Sequence, residues 1–296
     1  MPPGILPEEM TLFEELLDYF NGGRDGIAAG FRPLDIRDGE ALGHFAGLHL
    51  HSVFQPLFQP ASLRPFAYEA LLRVQDGSGR ALPVDHAFRK PKTAAEIVHL
   101  DRLCRAMHAV NFARQARDGS SLFLNIDGRH LLTVEVEQLG STFEGLLNHC
   151  GLKPAQVVLE IIESRIDDLG RLIDAAAAYQ ERGYRVAIDD FGCQHSNFDR
   201  LWQLTPDIVK LDRSLIVQAS TRPRARVILP KLVEIIHDLG ALAVCEGIET
   251  CEQHALATDA GIDLLQGYYY ARPARWLQAA PDLLEDRAEP SLTGSW

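Results

Sequence analysis

From about residue 50 to residue 275, short apolar runs alternate with longer stretches of helical periodicity. His51 to Phe58 reads as a strand closed by Pro60, and Phe66 to Val74 as a second. Thr93 to Ala116 has Ile97, Leu100, Leu103, Cys104 and Met107 at helical spacing. Leu122–Asp127, Val157–Glu163, Val186–Gly192, Pro206–Asp212, Ala241–Cys245 and Leu264–Tyr270 are further short apolar runs. Helical patterns fill Phe143–His149, Leu169–Arg182, Arg224–Leu239 and Glu252–Ala260, and glycines at 183, 240 and 261 stop the last three. This alternation predicts an α/β fold with a parallel sheet. Eight strands suggest a TIM-like (β/α)8 barrel. About seven residues separate the first two strands, too few for a helix, so they form a hairpin and one barrel strand runs antiparallel. A doubly wound open sheet is the alternative, weakened because no Gly-x-Gly-x-x-Gly follows a strand.

Residues 1–45 read as a separate helical extension, with Leu12, Phe13, Leu16, Leu17 and Phe20 on one face and Asn21-Gly22-Gly23 as its stop. That stripe is expected to bury against the barrel, or else against a second copy or a partner protein. The barrel domain is placed at 46–280 and a C-terminal tail at 281–296.

The chain has 296 residues and a net charge of −12, which argues against a nucleic-acid polymer as partner. A phosphate-bearing substrate stays open if cations neutralise the contact. No apolar run reaches the ~18 residues of a membrane span, and Met1-Pro2-Pro3-Gly4 begins no secretory leader. Five cysteines without a Cys-x-x-Cys pair fit reduced thiols and a cytoplasmic setting.

Val186-Ala187-Ile188 leads into two adjacent carboxylates, Asp189 and Asp190. Two acids at a strand tip repel each other and lose solvation, so they call for a cation. A helix cap followed by a turn is the plain alternative for that pair. Other predicted strands end in Glu69, Asn125, Glu160, Lys210, Glu246 and Gln266. Each has a structural reading alone, but in a parallel barrel these ends meet on one face. The set is rich in oxygen donors, pointing to hard ions such as Mg2+ or Mn2+ rather than zinc.

Glu69-Ala70-Leu71-Leu72-Arg73 resembles the signature of the EAL domain family, the cyclic di-GMP phosphodiesterases of bacterial signalling. Phe54-Gln55-Pro56, Asn125, Glu160-Ile161-Ile162-Glu163, Asp189-Asp190-Phe191-Gly192, Lys210-Leu211-Asp212, Glu246-Gly247-Ile248-Glu249-Thr250 and Gln266-Gly267-Tyr268 follow in the family's order. The resemblance implies hydrolysis of cyclic di-GMP to linear pGpG with two metal ions. Glu69, Asn125, Glu160 and Asp189 would hold one ion, and Asp189 and Asp190 the second, with Glu246 helping through water. Lys210 would orient or deprotonate the attacking water. Arg73 would grip a phosphate, Gln55, Gln266 and Tyr268 would contact the dinucleotide, and Glu249 would brace the loop after Asp190. A homodimer is also implied. Cys193-Gln194-His195-Ser196-Asn197 departs from the family pattern, with Gln194 where a glycine is usual. That departure predicts slow or conditional turnover, or, as the alternative, a receptor that binds cyclic di-GMP without cutting it efficiently.

Overall fold

A computed structural model describes residues 33–37, 39–116, 119–133, 141–162, 168–192 and 198–278. The helical stripe between residues 7 and 20, the loop 193–197 and the tail 281–296 lie outside the described residues.

Among the described residues, eleven strands form one sheet: β1 (Leu34–Arg37), β2 (Glu40–Phe45), β3 (Leu48–Phe58), β4 (Pro65–Asp76), β5 (Ala81–Leu82), β6 (Ser121–Ile126), β7 (Val157–Ile162), β8 (Arg185–Phe191), β9 (Ile208–Leu211), β10 (Leu242–Cys245) and β11 (Leu264–Leu265). The helices are α1 (Val84–Phe88), α2 (Ala94–Ala113), α3 (Gly128–Thr133), α4 (Ser141–His149), α5 (Leu169–Glu181), α6 (Phe198–Leu204), α7 (Arg213–Thr221), α8 (Pro223–Asp238) and α9 (Cys251–Asp259). Strands β4 and β6 to β11 pair in parallel around the barrel. The antiparallel β3 closes it, bonded to β4 on one side and β11 on the other. The long β3–β4 hairpin continues past the barrel, and β2 pairs with its outer end.

One correction concerns residues 34–45, which the sequence pattern assigns to a helical extension. They form β1 and β2, joined to the sheet by a two-residue turn between Phe45 and Leu48. Both turn residues, Ala46 and Gly47, have positive φ (47° and 80°), as a type I′ hairpin requires.

Helix α2 starts where its sequence says it should. Thr93 accepts the Glu96 amide and Glu96 accepts the Thr93 amide, a complete capping box. Its buried face, including Leu100, Leu103, Met107 and Phe112, belongs to the core between helices and sheet.

Inside the barrel, Leu57, Ala67, Phe123, Val158, Ala187, Ile208, Val244 and Leu264 form a separate apolar cluster. Each of the eight barrel strands contributes one of them. They plug the lumen as a packed layer and set the floor for what lies above.

No helix among the described residues is long and apolar enough to cross a membrane.

Candidate active site

Side chains on a strand return to the same face every second residue. Two positions toward the mouth from the plug lie Gln55, Glu69, Asn125, Glu160, Asp189, Lys210, Glu246 and Gln266. Seven of them line an open cavity of about 510 Å3, within the usual range for ligand sites. Glu160 lies beneath it, fully buried.

Lys210 is the hub. Its Nζ lies 2.5 Å from Glu160 Oε1, 2.6 Å from Glu246 Oε1, 3.1 Å from Asp189 Oδ1 and 3.5 Å from Glu69 Oε1. Asn125 Nδ2 donates to Glu160 Oε2 (2.9 Å) and Glu69 Oε1 (3.3 Å). Gln266 Nε2 donates to the other Glu69 oxygen at 2.7 Å. Gln55 lies opposite Glu69 in the hairpin and donates to the Ala271 carbonyl at 3.2 Å.

Burial alone would favour a neutral Lys210, but Asp189, Glu160, Glu246 and Glu69 overcome it and hold the ammonium well above its ordinary range. Burial pushes Glu160 well above the carboxylate range, with Glu69 adding to the rise and Lys210 opposing it. Burial likewise raises Glu246 to about 8, against the pull of Lys210. One ammonium thus faces more negative charge than it can neutralise.

Adjacent strand residues ordinarily point to opposite faces, yet Asp189 and Asp190 both line the cavity. The β8–β9 register shifts between Ile188 and Phe191, and Asp190 has φ 57°. This bulge turns the second carboxylate toward the first. Asp189, Asp190 and Glu246 each offer an oxygen, all within 4.8 Å of one another. Although Lys210 is close, Glu160 Oε1 and Asp189 Oδ1 are buried without a partner in hydrogen-bond geometry. An all-oxygen donor set with excess negative charge and orphaned oxygens fits a hard divalent cation.

Glu249 and Tyr268 also line the cavity. Glu249 Oε2 accepts from Arg213 at 2.7 Å, and its backbone amide donates to Gln253. Tyr268 is half exposed, with the Arg272 guanidinium 4.3 Å from its ring centre. Arg73 is exposed and outside the cavity lining; it lies four residues beyond Glu69 on β4 and donates to the Leu72 carbonyl.

Leu71, Arg213, Gly247 and Gly267 also line the cavity wall, beyond the residues the sequence pattern assigns to the site. Leu71 was legible by period two from Glu69. Arg213 follows Asp212, whose side chain caps α7 through the Ser214 amide. Its stem crosses Gly247, where a Cβ would collide with it.

A model of the EAL domain family matches residues 40–273. The probable cyclic di-GMP phosphodiesterase PdeN of Escherichia coli K12 is 29% identical over 276 residues, covering 88% of this chain and 52% of its own length. The chain therefore spans about half of that relative. Klebsiella pneumoniae BlrP1, solved at pH 9.0 with manganese and cyclic di-GMP, superposes with a TM-score of 0.68 at 26% identity, over 88% of this chain and 66% of that one. A standalone EAL protein from Vibrio cholerae O395, bound to cyclic di-GMP, shares the fold at TM-score 0.68 and 23% identity, over 80% of this chain and 97% of that one. With the family match spanning most of the barrel, this chain belongs to the EAL domain family.

Proposed function

We propose that this chain is a divalent-metal-dependent phosphodiesterase that opens cyclic di-GMP to linear pGpG. The observation that carries the reading is the acidic ring around Lys210 at the barrel mouth, beside the Asp189–Asp190–Glu246 group. The similarity to PdeN and to the BlrP1 complex supports the choice of substrate. Glu69, Asn125, Glu160 and Asp189 would hold one Mg2+ or Mn2+, and Asp189 and Asp190, with Glu246, a second. Bound there, the ions would supply Lewis acidity toward the phosphodiester and lower the pKa of water.

In the reaction, a water oxygen forms a bond to phosphorus as the bond to the 3′ oxygen breaks. The released 3′ oxygen takes up a proton and the 5′ phosphate stays on the opened product. Lys210 would orient the attacking water; with cations compensating the four carboxylates that raise its pKa, the ammonium would lose that stabilisation and could take part in proton transfer. Gln55, Gln266 and Tyr268 would hold the dinucleotide, and Arg73, beyond the cavity rim, would reach a phosphate from above.

Incubation of the full chain with cyclic di-GMP and Mg2+ or Mn2+, followed by nucleotide separation, tests this. The expected result is pGpG, abolished by EDTA and by Glu69→Ala. Undiminished turnover in excess EDTA would refute it.

A further inference from the structure

The β3–β4 hairpin that carries Gln55 and Glu69 rises above the cavity, and its outer end has a chemistry the phosphodiesterase reading does not use. His49 and His51 are two residues apart on β3 and share one face. His44 on β2 lies directly across from His49 in the antiparallel register. The His44 and His49 ring centres are 5.0 Å apart, edge to face. All three imidazoles are half-buried. His51 Nε2 is buried without a hydrogen-bond partner.

We propose that His44 and His49, completed by His51, form a binding site for a borderline transition metal such as Zn2+, Cu2+ or Ni2+. Two imidazoles sharing one ion, each with a nitrogen about 2.0–2.1 Å from it, bring their ring centres to about 5 Å at a tetrahedral angle. The cross-strand pair already has that separation. The rigid hairpin holds the two Cβ atoms in place, so little entropy is lost when both rings bind one ion. Among the described residues, the acidic group at the barrel mouth is the one set of three whose ligand atoms already converge. The histidines are not yet such a set: His51, whose side chain hydrogen-bonds Gln75, would have to rotate to join the other two.

The ligand chemistry separates the two sites. Carboxylates and an amide suit Mg2+ and Mn2+, whereas imidazole suits zinc, copper and nickel. Burial, followed by the influence of His49, lowers the His44 pKa, which favours the neutral ligand form. The charged neighbours are mixed. Asp35 and Arg37 on β1 act on His44, and Arg73 on β4 stands opposite His51. An ion there binds by imidazole coordination rather than by charge attraction. It would lie next to Arg73, the side chain assigned above to a substrate phosphate.

The test uses the full chain with Mg2+ saturating the carboxylate site and one equivalent of Cu2+ added. The expected paramagnetic resonance spectrum shows superhyperfine coupling to at least two nitrogens. His44→Ala and His49→Ala should each weaken Cu2+ or Zn2+ binding at least about tenfold, with unchanged far-ultraviolet circular dichroism. Retained nitrogen coupling in the double variant, or equal Zn2+ affinity in wild type and variants, would overturn the proposal. The readouts are independent of catalysis, so a protein inactive on cyclic di-GMP still decides it.

Discussion

At the residue scale, Lys210 decides what the site tolerates without metal. It is 1% exposed and contacts four carboxylates. Removing one partner of a buried ion pair typically costs about 3–5 kcal/mol, because the remaining charge is stranded. Protonation of Glu160, already favoured by its burial, absorbs part of that cost. Lys210→Met should therefore lower the melting temperature in EDTA, and Mg2+ should raise it more in the variant than in the wild type. An equal Mg2+ response in both proteins would show that Lys210 is not the site's counter-charge. In the same variant, turnover should fall by more than ~100-fold, the scale of lost proton handling. The acids and Lys210 were legible as polar residues ending apolar runs. Glu160 and Glu163 illustrate the limit: both are acids at the end of one run, and only the register two steps above Val158 selects Glu160. Arg213 was not legible because nothing local distinguishes it from a surface charge; its place depends on Gly247, 34 residues later in sequence.

At the element scale, long apolar runs and capped helices read well, and short elements did not. The start of α2 at Thr93 and the glycines after α5, α8 and α9 mark real boundaries. The apolar pattern hides helix α7, because it carries the preceding strand through Asp212, the helix's N-cap. The turn from β2 into β3 is hard to read because Ala46-Gly47 is a weaker hairpin signal than Asn-Gly. The pattern predicts a last strand over Leu264 to Tyr270, but the strand ends at Leu265. The cause is Gly267, whose Cα packs against the Ile248 backbone; any Cβ there would collide with the Ile248 carbonyl oxygen and nitrogen. The contact ties two site segments together. Ile248 N donates to Gln266 O at 3.0 Å and Tyr269 N to Ile248 O at 2.9 Å. Gly267→Ala should thus move Glu246 and Gln266 together. Overpacking of this kind costs about 1–3 kcal/mol, a loss of several degrees in melting temperature for a chain this size. Unchanged thermal stability and turnover in Gly267→Ala would contradict this coupling.

At the scale of the whole molecule, barrel closure follows from one reversed strand, and that reversal was legible from the short link between β3 and β4. Which apolar residue of each strand plugs the lumen was not legible, because buried strands are apolar on both faces. The outer ring of helices raises a separate question of what holds it to the barrel. Helix α2 does so partly through buried polar contacts: His108 Nδ1 lies 2.8 Å from Ser52 Oγ on β3, and Asn111 bonds both backbone groups of Ala41 on β2. Asn111 also donates to Ser52 Oγ, leaving the hydroxyl proton to point at His108 Nδ1. That arrangement suits a neutral imidazole. Burial depresses the His108 pKa to about 3, against about 6.5 for an unfolded chain. Below pH ~6.5 the unfolded chain gains a proton that the folded chain refuses, so this histidine withdraws stability as pH falls, until about pH 3. The slope approaches about 1.4 kcal/mol per pH unit. Other groups titrate in the same range, so the difference between wild type and His108→Gln isolates the effect. Denaturant unfolding from pH 7.5 to 4.5 should show the wild type losing stability relative to the variant as pH falls. A stability difference constant over that range would mean that His108 titrates alike in the folded and unfolded chains.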